Sequence, residues 1–124
     1  MKILLVDDSK IFRTELLKLL ININNRITVL EAESVSEAVE LLKSDIFDLA
    51  ILDFQLTDGN SIKILEQINV QNYNLYKIVL TNYFNETIKE LCLKNGADHF
   101  KDKNGDFNDL ISLLEFYLNN YSTN

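Results

Sequence analysis

Residues Ile3–Ser9 read ILLVDDS, a continuous apolar run followed directly by two aspartates and a serine. A short apolar run of this kind is typical of a β-strand that is buried on both faces of a sheet. Ser9 is a good N-cap, and the segment Ser9–Ile21 carries its apolar residues at helical spacing. The stretch therefore predicts one strand–helix unit, with charged side chains at the point where the strand ends.

The alternation of strand and helix continues along the whole chain. Further apolar or β-branched runs predict strands at Ile27–Leu30, Leu49–Leu52, Ile78–Leu80 and Ala97–Lys103. Helical periodicity predicts helices at Ser34–Lys43, Ser61–Ile68, Asn85–Lys94 and Asp106–Leu118. Five strands and five helices in strict order predict an α/β fold, in which helices cover both faces of a parallel sheet. The last strand is the most polar, which favours a position at the edge of the sheet.

The composition fits one acidic globular domain. Of the 124 residues, 47% are hydrophobic, and a domain of this length buries roughly two-thirds of the surface of its unfolded chain. The net charge of −7 argues against direct nucleic-acid binding, which needs a basic face. A single cysteine and the lack of an apolar stretch of about 20 residues predict a cytoplasmic protein without membrane contact. We expect residues 1–120 to form the domain and residues 121–124 to form a polar tail.

Polar side chains follow four of the predicted strands at the points where these strands end. They are Asp7 and Asp8 after the first strand, Asp53 after the third, Thr81 after the fourth and Lys103 at the end of the fifth. Because the carboxyl ends of parallel strands share one edge, and open α/β sheets bind ligands beyond it, these residues are expected to meet. Each alone has an ordinary explanation as a cap or a loop residue. Their coincidence at one edge favours a functional site.

Three carboxylates at one place repel one another and raise one another's pKa values. A hard cation such as Mg²⁺, which takes carboxylate, water and phosphate oxygens as ligands, relieves that repulsion. With Lys103 and Thr81 at the same edge, the site suits a phosphoryl group in transfer. Asp53 stands alone after the most apolar strand and is the candidate to accept the phosphoryl group, whereas Asp7 and Asp8 are better suited to the metal.

Four spaced motifs cover the strand ends and the loops after them: LLVDDS (Leu4–Ser9), LAILDFQLTDGNS (Leu49–Ser61), IVLTNY (Ile78–Tyr83) and GADHFKDK (Gly96–Lys103). As a spaced set, over essentially the whole chain, they resemble the motifs of the response regulator receiver domains of two-component signalling. The resemblance implies a flavodoxin-like fold, with a doubly wound five-stranded parallel sheet of strand order 2-1-3-4-5.

The resemblance also implies how a metal and a phosphoryl group are held. Asp53 is the residue that would be phosphorylated, with Mg²⁺ or Mn²⁺ as the cofactor. Asp8, Asp53 and the backbone carbonyl of Gln55 would bind the metal directly, and Asp7 would act through a water molecule.

Four further positions are assigned to the phosphoryl group by the same resemblance. Thr81 would turn toward it after transfer and Lys103 would pair with it. Phe100 matches the aromatic residue that moves inward with the threonine. Asn82 stands where receivers mostly carry a small residue, and its longer side chain would restrict access to the phosphoryl group.

Some features of the chain bear on the loops around this site. Lys101 and Lys103 leave the same face of the last strand, but Lys101 lies about 7 Å further from the carboxyl edge, so Lys103 is the expected site residue. Thr57 and Asn104 stand where receivers usually carry proline. We expect a looser loop after Asp53 and a trans peptide bond before Asn104.

The function that the resemblance implies is a phosphoacceptor signalling switch. A histidine kinase or a histidine phosphotransfer protein would donate the phosphoryl group, and the signal would pass through contacts with an unidentified downstream protein. No dedicated substrate turnover is expected, only Mg²⁺-dependent self-phosphorylation from phosphohistidine or small phosphodonors and slow autodephosphorylation. Apolar residues on the last helix favour a partner or homodimer surface there, at Leu113, Phe116, Tyr117 and Tyr121.

Three other functions are alternatives to this one. A receiver-like scaffold that never uses phosphate is the main alternative, and the complete set of acidic, hydroxyl and lysine residues argues against it. A phosphatase of the haloacid dehalogenase type would need a second aspartate at position 55, which is Gln55 here. A flavin-binding protein of the same fold would need a phosphate-binding first loop, but Asp7-Asp8-Ser9 is acidic.

Overall fold

The computed structural model of the protein describes residues 1–71 and 74–121. Within these residues the strands and helices are, in chain order, β1 (Lys2–Val6), α1 (Lys10–Ile23), β2 (Thr28–Ala32), α2 (Val35–Ser44), β3 (Leu49–Asp53), β4 (Gln55–Leu56), β5 (Gly59–Asn60), α3 (Ile62–Gln71), β6 (Tyr76–Thr81), α4 (Glu86–Lys94), β7 (His99–Asp102) and α5 (Phe107–Tyr121). None of these helices has the length and apolar character that crossing a bilayer requires.

Five strands form one parallel sheet in the order β2-β1-β3-β6-β7. Since β6 and β7 are the fourth and fifth predicted strands, this order is 2-1-3-4-5, and both the predicted α/β fold and the predicted sheet are confirmed. The polar strand β7 lies at the edge, as its sequence indicates. The register sets Val6 beside Leu52, Leu52 beside Val79, and Thr81 beside Asp102. Four strands therefore end side by side, at what we term the carboxyl edge.

The sheet is packed between two helical layers, because successive side chains of a strand point to opposite faces. One layer joins the sheet to α1 and α5 and includes Ile3, Leu5, Ile51, Leu16, Leu20, Leu110 and Leu114. The other joins the sheet to α2, α3 and α4 and includes Leu4, Val6, Leu52, Ala38, Leu42, Ile64, Leu65 and Cys92. Each fully buried leucine or isoleucine contributes about 1.5–3 kcal/mol, so the core fixes where the strands end.

Serine side chains begin two of the predicted helices. Ser9 Oγ accepts a hydrogen bond from the N–H of Phe12 at 3.2 Å, and Ser34 Oγ accepts one from the N–H of Glu37 at 3.1 Å. Both residues have extended backbone angles, as N-caps do. The serine N-caps predicted for α1 and α2 are therefore confirmed by their hydrogen bonds.

The last helix is longer than its apolar periodicity predicts. It continues from the predicted end at Leu118 to Tyr121. Asn120 Nδ2 donates to the carbonyl of Phe116 at 2.7 Å, so a polar side chain satisfies one acceptor in the last turns. The predicted polar tail thus begins inside α5, and its last three residues lie outside the described residues.

Candidate functional site

Three carboxylates meet at the carboxyl edge of the sheet. Asp7 and Asp8 follow β1 and Asp53 ends β3, and one oxygen of each lies within 4.8 Å of the others. Asp7 and Asp53 are buried, whereas Asp8 is exposed, so the cluster has one side that solvent reaches. Oxygen donors at this spacing fit a hard cation such as Mg²⁺.

The charge of Asp53 is disfavoured where it lies. Burial, and after it the charges of Asp7 and Asp8, raise the pKa of Asp53 to about 7, while the ammonium of Lys103 acts in the opposite direction. A carboxyl group in this situation gains from any positive charge placed against it. The electrostatics of the site therefore favour a bound cation, in agreement with its oxygen donors.

Lys103 follows β7 and reaches into the cluster. Its Nζ lies 2.5 Å from Asp7 Oδ2 and 3.5 Å from Asp53 Oδ1, and the residue is only 9% exposed. The ammonium also sits over the ring of Phe12, 4.2 Å from its centroid. In the described part of the chain, the carboxylate oxygens of these two aspartates share one lysine, and Asp8 adds a third negative charge.

Thr81 ends β6 and is buried beside the cluster. Its hydroxyl donates to the carbonyl of Tyr83 at 3.1 Å and accepts from the N–H of Tyr83 at 3.0 Å. Both bonds lie inside the loop that joins β6 to α4. To bind a phosphoryl oxygen, the hydroxyl has to exchange its bond to the Tyr83 carbonyl. Asn82 and Tyr83 themselves are exposed.

Phe100 lies on β7 and is buried in the core layer that contains α2, α3 and α4. The ring of Phe84 meets it edge-on, with centroids 5.7 Å apart and planes at 60°. Phe84 lies in the β6–α4 loop, next to Tyr83, whose backbone binds the hydroxyl of Thr81. A change in that loop therefore reaches the Phe100 ring directly.

The segment after Asp53 forms a short antiparallel hairpin, β4–β5, that the sequence did not predict. Gln55 pairs with Asn60 and Leu56 pairs with Gly59. Strands of two residues are too short to show a hydrophobic period. The available signal was the dipeptide Asp-Gly at the turn, since Gly59 has φ of 149°, a conformation that L residues rarely adopt.

Ser61 ties the base of this hairpin to the phosphoacceptor candidate, a role that sequence reasoning missed. The residue is fully buried, and its Oγ donates a hydrogen bond to the backbone carbonyl of Asp53. Its N–H donates to the carbonyl of Phe54 at 2.9 Å. Ser61 therefore fixes the backbone on which Asp53 is carried.

Arg13 was also missed, although it is one of the few buried charged residues. Its Nη1 donates to the backbone carbonyl of Asp7, and its Nε donates to Glu31 Oε1 at 3.0 Å. The side chain thereby joins the loop after β1 to the end of β2. Its signal in the sequence is a charge on the buried stripe of α1, at the spacing of Leu16 and Leu20.

The apolar surface on α5 is smaller than the sequence indicates. Phe116 is 68% exposed, but Leu113 and Tyr117 are partly buried against the core. The ring of Tyr117 stacks on Tyr76, with centroids 4.5 Å apart, so it is used inside the molecule. The side chain of Tyr121 lies outside the described part of the structure.

Comparison with protein families finds one that accounts for most of the chain. The sequence profile of the response regulator receiver domain matches residues 3–115. The sensory transduction protein LytR of Staphylococcus epidermidis is 35% identical over 100 residues, which are 80% of this chain and 39% of that protein. The photosynthetic apparatus regulatory protein RegA of Rhodobacter capsulatus is 27% identical over 112 residues, 90% of this chain and 60% of that protein. The chain thus spans 39% to 60% of the length of these two relatives.

Solved structures share the fold over 98% of the chain. A CheY-like response regulator receiver domain protein from Methanospirillum hungatei JF-1 has a TM-score of 0.84 at 24% identity and covers 98% of this chain and 96% of its own. A response regulator from Burkholderia pseudomallei has a TM-score of 0.78 at 20% identity, covering 98% of this chain and 72% of its own. At these identities the likeness establishes the fold.

Proposed function

The chain belongs to the family of receiver domains of two-component response regulators, and on that premise we propose that it is a phosphoacceptor switch. Asp53 accepts a phosphoryl group from a histidine kinase or a histidine phosphotransfer protein, and a downstream protein recognises the changed surface. The observation that carries this proposal is the meeting of Asp7, Asp8, Asp53 and Lys103 at one edge of the sheet.

A divalent cation belongs to this proposal, with Mg²⁺ or Mn²⁺ as the candidates. Asp8, Asp53 and the backbone carbonyl of Gln55 would hold it directly, and Asp7 would act through water. Bound there, the ion offsets the carboxylate charges and the charge on the phosphoryl oxygens. The carboxylate oxygens within 4.8 Å of one another and the raised pKa of Asp53 support this assignment.

The chemical step that we propose is an in-line displacement at phosphorus. One carboxylate oxygen of Asp53 attacks the phosphorus of a phosphohistidine, and the phosphorus–nitrogen bond breaks as the phosphorus–oxygen bond forms. The electron pair of the broken bond stays on the imidazole nitrogen, which takes a proton from solvent. Lys103 Nζ, 3.5 Å from Asp53 Oδ1, is near enough to donate to the transferred group.

The switch that we propose runs through the β6–α4 loop. Once a phosphoryl group is on Asp53, the hydroxyl of Thr81 leaves the carbonyl of Tyr83 and donates to a phosphoryl oxygen. That exchange releases the loop that carries Phe84, whose ring packs on Phe100. Phosphorylation then shifts the population between two packings of this loop. Asn82, exposed next to the threonine, would restrict access of water or partners to the phosphoryl group.

The proposal also covers the domain that forms the switch, its cellular compartment and its return to the resting state. The response regulator from Burkholderia pseudomallei, which shares this fold, was solved with a phosphorylated aspartic acid and a calcium ion, and this supports the modification proposed here. We propose that residues 1–120 act as one domain in the cytoplasm, where the single thiol stays reduced. Autodephosphorylation returns the switch to its resting state, and no other substrate is turned over.

Acetyl phosphate tests the proposed function without knowledge of the kinase. With Mg²⁺, the protein is expected to gain the mass of one phosphoryl group, and chelation of the metal should prevent this gain. Asp53→Asn should abolish labelling, whereas Asp45→Asn, at the opposite edge of the sheet, should label normally. Labelling that survives Asp53→Asn would remove the assignment. A wild-type protein that neither binds Mg²⁺ nor labels would instead be the phosphate-independent scaffold.

Self-association is a separate part of the proposal. The exposed ring of Phe116 on α5 supports a contact with a second copy or with the downstream protein. Sedimentation with and without beryllofluoride, which stands in for the phosphoryl group, tests the first of these. An unchanged mass contradicts phosphorylation-driven dimerisation and leaves the downstream protein as the occupant.

A further inference from the structure

The turn of the β4–β5 hairpin is bound to the start of α2. Asp58 Oδ1 accepts a hydrogen bond from the N–H of Val35 at 2.8 Å, and Asp58 Oδ2 accepts one from the N–H of Ser36 at 3.0 Å. These groups are more than 20 residues apart in the sequence. The two bonds therefore join the segment after Asp53 to the start of a helix in the same core layer.

Two side chains divide the first N–H groups of α2 between them. Ser34 Oγ accepts from the N–H of Glu37, and Asp58 accepts from the two N–H groups before it. Helix N-termini carry partial positive charge, which favours a carboxylate there. The N–H of Val35, and after it that of Ser36, hold the pKa of Asp58 below its usual range. Asp58 is therefore a charged cap at neutral pH.

The hairpin is held at three levels. At its base, Ser61 donates to the carbonyl of Asp53, and in its middle Leu56 is buried in the core. At its turn, Asp58 binds α2. Gln55 lies between the base and the turn, on the strand that follows the phosphoacceptor candidate. Its backbone is therefore positioned from both ends of the hairpin.

We propose that Asp58 is a positioning residue for the metal site. By binding the hairpin turn to α2, it keeps the backbone of Gln55 in the place where its carbonyl serves the metal. The inference rests on the proposed function, which gives that carbonyl to the cation. Because coupling between two sites is reciprocal, a cation at the carboxyl edge should in turn protect the bonds between Asp58 and α2.

Ser34→Ala is the matched control for Asp58→Ala. Both variants remove hydrogen bonds to N–H groups in the first turn of α2, but only Asp58→Ala releases the hairpin. Mg²⁺ titration followed by backbone amide NMR shifts gives the affinity of each protein for the metal. Asp58→Ala should bind Mg²⁺ about tenfold more weakly than the wild type, as loss of a residue that supports metal ligands does. Ser34→Ala should bind as the wild type does.

Asp58→Asn keeps a carboxamide oxygen that can accept one of the two bonds, so it should recover part of the lost affinity. Amide hydrogen exchange provides the second readout. Mg²⁺ should slow exchange at Val35 and Ser36 in the wild type and in Ser34→Ala, and this slowing should be lost in Asp58→Ala. If Asp58→Ala does not fold, the comparison of Asp58→Asn with Ser34→Ala decides in the same way.

The outcomes separate this inference from the function on which it rests. Equal Mg²⁺ affinity in the variants of Asp58 and Ser34, with a wild type that binds Mg²⁺, overturns the positioning role and leaves the proposed function standing. Slowed exchange that persists in Asp58→Ala overturns it as well. A wild type that does not bind Mg²⁺ at the carboxyl edge removes the proposed function, and the positioning role with it.

Discussion

The two edges of the central sheet both carry charged side chains, but they balance their charges differently. At the amino edge, where the strands begin, Lys2 pairs with Asp45, and its backbone N–H donates to Asp48 Oδ2 at 2.8 Å. Next to them, Lys77 Nζ lies 3.6 Å from Asp98 Oδ2. At the carboxyl edge, one buried ammonium is shared by two buried carboxylates, with a third carboxylate beside them.

The pKa values record the same contrast. The hydrogen bond from Lys2 holds the pKa of Asp45 below its usual range, whereas burial and like charges raise the pKa of Asp53 to about 7. An edge that served stability alone would pair its charges as the amino edge does. Perturbed titratable groups that cluster in this way are typical of functional sites. The imbalance at the carboxyl edge is therefore the physical signature of the proposed site.

Removing the buried ammonium should give the largest effect. Lys103→Met leaves Asp7 and Asp53 buried without it, and we expect the free energy of unfolding of the metal-free protein to fall by about 3 kcal/mol. Saturating Mg²⁺ should recover most of this loss, because the bound cation compensates the negative charges of Asp7 and Asp53 in place of the ammonium. Urea unfolding with and without Mg²⁺ measures both quantities.

Lys101→Met is the control, since this residue lies on β7, two positions before Lys103 and further from the carboxyl edge. It should change the free energy of unfolding by less than about 0.5 kcal/mol, with or without Mg²⁺. If the free energy of unfolding falls equally in Lys103→Met and Lys101→Met, the carboxylates at the carboxyl edge do not depend on the ammonium of Lys103 for charge compensation.

Asp53→Asn should stabilise the metal-free protein. The folded-state pKa of Asp53 lies above its unfolded value of 3.8, so its contribution is fully present below about pH 4 and is lost as the pH rises through about 7. Asparagine does not ionise. We expect a gain of about 1–3 kcal/mol at about pH 8, because each pKa unit is worth about 1.4 kcal/mol and solvent on the exposed Asp8 side of the cluster screens part of the charge.

Urea unfolding at several pH values, in the presence of a chelator, measures this gain. It should shrink as the pH falls and vanish below about pH 3, where the wild-type carboxyl group is protonated in both the folded and the unfolded state. A gain that does not depend on pH, or a loss at about pH 8, would show that Asp53 carries no electrostatic cost in the folded protein.

A substitution at the amino edge should leave the carboxyl edge untouched. The hydroxyl of Tyr76 contacts Nε2 of His99, and Tyr76→Phe should cost about 1 kcal/mol of unfolding free energy. Neither Mg²⁺ affinity nor labelling by acetyl phosphate should change, because both groups lie at the beginnings of β6 and β7. Unfolding, titration and labelling of the same protein check these outcomes, and altered labelling would show that the two edges are coupled.

The smallest effect is expected from Asp45→Asn, and it should have the opposite sign to that of Asp53→Asn. Because the pKa of Asp45 is lowered in the folded state, its contribution is present above the unfolded value of 3.8 and is lost as the pH falls through the folded value. The variant should be slightly less stable than the wild type at neutral pH and equal to it in acid. Urea unfolding across this range, at high and low salt, measures the difference, and a stabilised variant would contradict it.

The convergence at the carboxyl edge was predictable because it follows from strand ends and topology. The apolar runs that end before Asp7 and Asp53 fix where β1 and β3 stop, and a parallel sheet brings such ends together. The same geometry placed Lys103, rather than Lys101, beside the carboxylates. The hydrophobic pattern of the sequence is therefore enough to predict which main polar groups lie together at the site.

The supporting contacts were not predictable, because their partners are set by packing between distant segments. Asp58 binds a helix start more than 20 residues away, and Arg13 binds a backbone carbonyl and a side chain from another strand. The residues around Asp58 and Arg13 in the sequence do not indicate which groups these side chains bind. Tyr117 shows the converse, since its apolar character favoured a partner surface, whereas the ring stacks on Tyr76.

Peptide mass spectrometry of the protein treated with acetyl phosphate and Mg²⁺ locates the modified residue directly. We predict one phosphoryl group, on the peptide that carries Asp53, and no modification when Mg²⁺ is chelated. A phosphoryl group on the peptide that carries Asp7 and Asp8, or modification that does not need the metal, would contradict the assignment of Asp53 as the phosphoacceptor in a cation site.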